Sequence, residues 1–347
     1  MSFNFFRSSQ PNEYSYLNLE NELKDDISAL VLKKKILMNS NVNLINTYTN
    51  RKPLIIHCCH HKTGTVVVEK ILRNIAYFYG FKYQYCPQSK LEPDTDIWVE
   101  NHSHIDFSKI HRPIIGTHMI RHPCSIIVSA FEYHKKTNEP WVNRKIKSFG
   151  KQSYKQILNS LNNENGLIFE MKNELYIESS KNTIMDMYNW DYYKPNFLEL
   201  KFEDFMLDFD NTLRNMFKHY GFSKEMIEEC LKMSQCHNIR NKSKEDIVKN
   251  KHITNKNMDL EKWKKYFLNN KILSQFKKYY PFDLFENLGY GTQDLTELEE
   301  INYQIKEPNE ELKEESKEEN KEKNKEEENK EKKEILMDKY WSKNLII

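Results

Sequence analysis

Several features that mark common classes of protein are missing from this 347-residue chain. It has no apolar run of eighteen residues, as a transmembrane helix requires, and Met1–Arg7 is too short and too polar for the apolar part of a signal peptide. The six cysteines lack the paired spacing of a disulfide framework or a zinc site. These absences predict a soluble, cytoplasmic protein with reduced thiols.

Charge is nearly balanced over the whole chain, at a formal net value of +2, but it is unevenly distributed. Residues 306–334 hold thirteen Glu and nine Lys, a net charge of −4, so the rest of the chain carries +6. That excess is compatible with a polyanionic small ligand and too weak to indicate a nucleic acid as partner. The segment itself has too few apolar residues for a core and is typical of a solvated single helix or a disordered linker.

The composition predicts four regions. Residues 1–50 form a helical extension, residues 51–292 one catalytic domain, residues 293–334 a charged linker or helix, and residues 335–347 a short apolar segment. Because apolar residues return after the charged stretch, we expect the last segment to dock on the domain or on a protein partner.

One informative segment runs from Leu54–Cys59, which predicts a buried strand, into an amphipathic helix from Val66 onward. The turn between them consists of Lys62, Thr63, Gly64 and Thr65. Glycine allows a close approach to an oxyanion, lysine supplies a positive charge, and threonine supplies hydroxyl donors. Beside a helix N-terminus this turn favours a bound phosphate, but taken alone it is equally typical of a plain strand-to-helix connection. It is not a Walker A loop, because the lysine precedes the single glycine.

A second segment, Ile114–Ser129, has the same layout. Arg121 ends its strand-like part, at the position where open α/β sheets bind ligands, and Pro123 suits the first position of a helix. Ser129 follows two turns into that helix. Arg121 and Ser129 can converge on one phosphate; the alternative is a helix-capping arginine and a solvated serine. Two such segments in one chain indicate a ligand with two separate phosphate groups.

At these residues the sequence resembles the sulfotransferases that use 3′-phosphoadenylyl sulfate (PAPS) as donor. Lys62–Thr65 matches the loop that holds the 5′-phosphosulfate in that family, and Arg121 with Ser129 matches its 3′-phosphate pair. The stretches Arg121–Pro123 and Ser129–His134 are also similar to the family, in which the 3′-phosphate motif continues in the same way. The resemblance implies transfer of a sulfuryl group from PAPS, release of the nucleotide PAP, and no metal ion.

The resemblance covers roughly residues 52–285 and implies a three-layer, P-loop-like α/β fold with a central, mostly parallel sheet flanked by helices. Leu198–Phe205 is similar to a strand of that family, and Asp208–Gly221 to the helix after it. Two positions depart from the pattern. Phe202 stands where the family usually has a tyrosine. Counting back from Trp263 places Lys256 where the last cofactor motif of the family has an arginine. Lys256 can supply charge but not a bidentate fork.

The reaction requires a proton acceptor and a cation for the departing phosphate. Histidine suits the first task because its pKa is near neutrality, and a fixed lysine suits the second. The resemblance places His104, within Asn101–Ile105, at the family's histidine and Lys62 at its lysine. His102 is the competitor, because on an extended segment it would point to the same side as His104.

The sequence therefore predicts a PAPS-dependent sulfotransferase, with a carbohydrate, a small alcohol or phenol, or a protein as its acceptor. Two alternatives stay open. One is a catalytically impaired protein that binds PAPS or PAP and acts as an interaction module, and the other is a P-loop nucleotide kinase. The run His57–His61 suggests a zinc site, but neighbouring residues of a strand point to opposite faces and cannot close a tetrahedral site alone.

Overall fold

The structure, a computed structural model, describes residues 52–147, 150–174, 183–250, 253, 257–291 and 295–298. Lys256 and the regions expected at residues 1–50 and 335–347 lie outside these residues, and of the region expected at residues 293–334 only residues 295–298 are described. The chain divides into two compact units. The first contains the described residues up to Arg121 together with Asn189–Lys242, and the second contains His122–Tyr188 and the described residues from Ser243 onward.

The first unit is built on a five-stranded sheet with the order β2-β3-β1-β4-β5. Its strands are β1 (Leu54–Cys58), β2 (Tyr83–Tyr85), β3 (Ile97–Glu100), β4 (Ile114–Ile120) and β5 (Phe197–Lys201). All four pairings are parallel, so the carboxyl ends of the strands lie at one edge of the sheet. This confirms the predicted α/β fold with a parallel central sheet flanked by helices.

The helices, in chain order through the described residues, are α1 (Thr65–Tyr79), α2 (Pro123–His134), α3 (Pro140–Asn143), α4 (Tyr154–Ser160), α5 (Asn163–Glu174), α6 (Thr183–Tyr188), α7 (Phe202–Leu207), α8 (Phe209–His219), α9 (Lys224–Ser234), α10 (Lys244–Lys249), α11 (Lys264–Phe267), α12 (Asn270–Tyr279) and α13 (Leu284–Asn287). None of the helices in this part of the chain is both long enough and apolar enough to cross a membrane.

The predicted start of α2 at Pro123 is confirmed, and α1 starts at Thr65, one residue before the expected Val66. The strand expected over Leu198–Phe205 is too long at its end: β5 stops at Lys201 and α7 starts at the next residue. The reason is that two acidic residues in the first turn of α7 favour a helix start. The helix expected after Asp208 is confirmed as α8, and the Asp208 carboxylate accepts a hydrogen bond from the Asn211 N–H to cap it.

The amphipathic pattern of α1 explains how it packs on the sheet. Its buried side chains share one face, and they form a core with apolar residues of the sheet, α8 and α9. The large α1 members of this core are Val68, Ile71, Leu72 and Ile75. Burial of each such side chain contributes about 1.5–3 kcal/mol. This packing fixes the first turn of α1, and with it the loop that follows β1.

The second unit is helical in its described part. Helix α2 is buried along nearly its whole length and packs on α4 and α5, and α5 packs on α12. At the end of α2, Nδ1 of His134 lies 2.8 Å from Oε1 of Glu170, and both side chains are buried. Helix α2 therefore holds Ser129, near its middle, on a packed support.

Candidate functional site

The loop after β1 is organised around the backbone of His60. The Thr63 N–H donates to the His60 carbonyl (3.2 Å), and so do the hydroxyls of Thr63 (2.9 Å) and Thr65 (3.0 Å). The His60 N–H in turn donates to the Thr63 hydroxyl oxygen (2.8 Å). Both predicted threonine hydroxyls thus donate their protons inside the loop. Their role in this geometry is to hold the turn in shape.

Two residues of the same turn have a left-handed backbone conformation. Lys62 and Gly64 both have positive φ angles, of 66° and 97°. Gly64 is the N-cap residue of α1 and makes no side-chain capping hydrogen bond, so no capping side chain occupies the N–H groups of the first turn. These groups and the helix dipole favour a negative charge at this point.

Arg121 and Lys62, two of the predicted ligands, come together at this edge of the sheet. Arg121 follows β4 and is buried, and its Nη1 atom donates to the carbonyl of Lys62 (2.9 Å). Its guanidinium carbon lies 4.5 Å from the centre of the Phe202 ring. The phenylalanine that replaces the expected tyrosine thus supports the arginine through a cation–π contact. Two positively charged residues, Lys62 after β1 and Arg121 after β4, thus lie at the same edge of the sheet, where their field would stabilise an anion.

The other predicted 3′-phosphate ligands belong to the second unit. Ser129 is buried in α2. Near the start of the same helix, His122 stacks on Trp263 (4.3 Å between ring centres), and the Ser125 hydroxyl lies 3.5 Å from the Leu260 carbonyl. The segment that follows the predicted Lys256 motif therefore packs on the helix that carries Ser129. The roles of Ser129 and Lys256 stay predictions.

The predicted histidine pair lies on the loop after β3. The N–H groups of His102 and His104 both donate to Oε2 of Glu100, each at 2.9 Å. Burial raises the pKa of Glu100, and these two hydrogen bonds oppose the shift. The Ser103 hydroxyl donates to the Cys59 carbonyl (3.1 Å), which joins this loop to the one after β1. His104 is thus held next to the loop that carries Lys62.

The expectation that His102 and His104 lie on an extended segment is wrong. Ser103 between them has a φ of 58°, in the left-handed region, because the loop folds around the Glu100 carboxylate. The two rings nevertheless lie side by side, with their centres 5.8 Å apart and their planes 24° from parallel. Both rings thus stay candidates for the proton acceptor.

Sequence reasoning missed a buried chain of polar side chains at the same edge. Nε2 of His60 lies 2.7 Å from Nε2 of His118, and Nδ1 of His118 lies 2.6 Å from Oε2 of Glu199. His118 also stacks on Trp190 (4.2 Å between ring centres), whose Nε1–H donates to Oε1 of Glu199 (3.0 Å). The available signal was a histidine inside the apolar strand β4, since an ionisable residue in a buried strand requires a partner.

The zinc interpretation of the His57–His61 run finds no support within the described residues, where no three His, Cys, Asp or Glu side chains are grouped to hold a metal ion. His57 and His60 have different partners: Nδ1 of His57 hydrogen-bonds the Thr117 hydroxyl (2.8 Å), which lies 2.5 Å from the Tyr220 hydroxyl. Burial lowers the pKa of His57 to about 3, so its imidazole is neutral at pH 7.

Comparisons with known proteins give structural likenesses only. No family model matches the chain, and no curated protein sequence matches it. Among solved structures, mouse sulfotransferase SULT7A1 complexed with PAP is similar, with 12% identity and a TM-score of 0.42 over 76% of this chain and 93% of that chain. Retinol dehydratase in complex with androsterone and inactive cofactor PAP is also similar, with 15% identity and a TM-score of 0.41 over 74% of this chain and 85% of that chain.

Proposed function

We propose that this protein is a PAPS-dependent sulfotransferase, which moves a sulfuryl group to a hydroxyl or amine of an acceptor and releases PAP. The observation that carries the proposal is the loop after β1. Lys62 and Gly64 turn this loop at an uncapped helix N-terminus, and Arg121 is bonded to it. A histidine loop lies directly beside it. Anion-binding groups next to a proton acceptor are what sulfuryl transfer requires.

Each residue has a distinct role in this proposal. The N–H groups around Gly64 and the Lys62 ammonium bind the 5′-phosphosulfate, and Lys62 neutralises the phosphate oxygen as the sulfur–oxygen bond breaks. Thr63 and Thr65 act indirectly, because their hydroxyls brace the turn through the His60 carbonyl. Arg121, Ser129 and Lys256 are the proposed ligands of the 3′-phosphate.

His104 is the proposed general base. It takes the proton of the acceptor while the acceptor oxygen or nitrogen forms its bond to sulfur. Glu100 fixes the backbone on both sides of Ser103 and so holds the ring in position. No acceptor class is favoured among a carbohydrate, a small alcohol or phenol, and a protein, since acceptor pockets are formed by loops that the fold does not determine.

A thermal-shift experiment tests the proposal on the full chain. A ligand that binds only the native state stabilises it by RT ln(1 + L/Kd), where L is the free ligand concentration, and so raises Tm. We expect PAP and PAPS to raise Tm, and ATP or GTP with magnesium to have no effect. The reverse result would favour a nucleotide kinase and contradict the proposal. Lys62→Ala should abolish the shift with PAPS, whereas Lys109→Ala, a change at an exposed lysine of the same unit, should preserve it.

Binding and turnover must be separated, because the replacement of the usual arginine by Lys256 also fits a protein that binds the nucleotide without catalysis. Single-turnover transfer from labelled PAPS, with panels of sugars, phenols and peptides as acceptors, makes the distinction. Transfer to any acceptor supports the enzyme. Tight PAP binding with no transfer and no hydrolysis of PAPS would instead support the interaction module.

A further inference from the structure

The buried chain His60–His118–Glu199 has a defined direction. A carboxylate only accepts hydrogen bonds, so Nδ1 of His118 carries the hydrogen that is shared with Glu199. A neutral imidazole has one N–H, which leaves Nε2 of His118 as an acceptor. Nε2 of His60 must then be the donor across the 2.7 Å contact. One negative charge thereby fixes the tautomers of two successive rings.

Burial keeps this chain intact. His118 is 0% and His60 1% exposed. Burial lowers the pKa of His118 to about 3, and burial together with the charges of His118, His102 and His104 lowers that of His60 well below its usual value. Both rings are therefore neutral at pH 7, as the tautomer argument requires. Glu199 is the outer end, with 27% of its side chain exposed.

The inner end of the chain supports the anion-binding loop. The His60 backbone accepts three hydrogen bonds from Thr63 and Thr65 and donates one to Thr63. A shift of His60 therefore displaces the whole turn that leads into Gly64. Since the His60 side chain is bonded to His118, and His118 is bonded to Glu199, the position of the turn depends on a carboxylate on β5.

We propose that Glu199 and His118 are positioning residues for the loop 60–65, and that they act by fixing the tautomer of His60. This role rests on the proposed function in one respect, which is that the loop binds the nucleotide. Neither side chain touches the ligand. Loss of the negative charge at Glu199 reverses the chain of donors and acceptors and loosens the turn.

Glu199→Gln gives a sharp test because Trp190 sets the orientation of the new amide. The Trp190 Nε1–H only donates, so it pairs with the amide oxygen of the glutamine, and the NH₂ group then faces His118. His118 must accept at Nδ1 and donate from Nε2, and His60 must accept at Nε2 and carry its hydrogen on Nδ1. The variant is nearly isosteric and keeps the pairings, so the fold is retained, but the hydrogen bonds to residue 199 lose the strength that the carboxylate charge gave them, and the support of the turn weakens.

Nitrogen-15 NMR of histidine-labelled, ligand-free full chain reads these tautomers directly, with assignments from His60→Gln and His118→Gln. We expect Nδ1–H at His118 and Nε2–H at His60 in the wild type, and the opposite at both in Glu199→Gln. The amide hydrogen of Thr63, which is bonded to the His60 carbonyl, should exchange faster in the variant. Glu228→Gln, which removes an exposed carboxylate of the same unit, should leave tautomers and exchange unchanged. Unchanged tautomers in Glu199→Gln would overturn the proposal.

PAP titration then links the chain to binding. Glu199→Gln should weaken PAP binding about threefold to tenfold, the scale of one hydrogen bond, and Glu228→Gln should not. An unaltered PAP affinity in a variant with reversed tautomers would show that the chain does not position the loop. If the wild type does not bind PAP at all, the proposed function fails, and the NMR and exchange results decide the positioning role by themselves.

Discussion

Gly64→Ala tests the conformation of the loop after β1 without reference to any ligand. Gly64 has a φ of 97°, where L-residues are strained, and a left-handed conformation costs a non-glycine residue about 1–2 kcal/mol. A Cβ atom at this position would lie 3.0 Å from Cδ2 of Phe202 and 3.2 Å from the Met119 sulfur. Crowding of this kind costs about 1–3 kcal/mol. We therefore expect a total loss of about 2–5 kcal/mol.

The matched control is Gly80→Ala at the other end of the same helix. Gly80 also has a positive φ, of 69°, but a Cβ atom there would meet no neighbouring group within 4 Å, so this change should cost only the backbone strain of about 1–2 kcal/mol. Equilibrium urea unfolding of the full chain, followed by circular dichroism, gives both values. The reasoning would be refuted if Gly64→Ala were no more destabilising than Gly80→Ala. Phe202→Leu, which replaces the aromatic ring with a smaller side chain, should reduce the extra destabilisation of Gly64→Ala over Gly80→Ala.

Three further predictions concern the site and its surroundings. Arg121→Ala should weaken PAP binding by about 1.5–3 kcal/mol more than it weakens binding of adenosine 5′-phosphosulfate, which lacks the 3′-phosphate; equal losses in a titration would mean that Arg121 acts only through its bond to the Lys62 carbonyl. His104→Ala should lower single-turnover transfer about a hundredfold at unchanged PAP affinity, while His102→Ala costs little; the opposite pattern would make His102 the base. His57 has a pKa of about 3 when folded against 6.5 when unfolded, so its contribution to stability is present above pH 6.5 and is lost as the pH falls toward 3, at up to about 1.4 kcal/mol per pH unit. We expect His57→Gln to make the free energy of unfolding less dependent on pH between pH 7 and 5, by the equivalent of about one bound proton, in urea unfolding. An unchanged pH dependence would exclude His57 as its source.

The parts of the fold that depend on local pattern could be predicted from the sequence. The apolar run before Lys62, the helical spacing after Gly64 and the proline at the start of α2 each specify their element through sterics or periodicity alone. The approach of Arg121 to Lys62 could also be anticipated, because both follow parallel strands that end at the same edge.

The buried chain could not be predicted because it depends on register between distant strands. His118 lies opposite Glu199 only because β4 pairs with β5 in one register, and a shift of one residue would turn Glu199 to the other face. The left-handed Ser103 was missed for a related reason. Its conformation follows from the Glu100 carboxylate, which accepts two N–H groups of the loop, and no local propensity signals it.

The interleaved course of the chain has a consequence for how the protein folds during synthesis. β4 is complete at Ile120, but its neighbour β5 starts only at Phe197, after the whole first segment of the second unit has been made. Until then, β4 has one unpaired edge in the nascent chain. This strand has seven residues, nearly all of which are buried in the folded protein, and an unpaired apolar strand is a surface on which chains aggregate. Closure of that edge joins residues far apart in sequence, which is intrinsically slow. The edge of β4 is therefore covered only once β5 has been made through Lys201 and has paired with it.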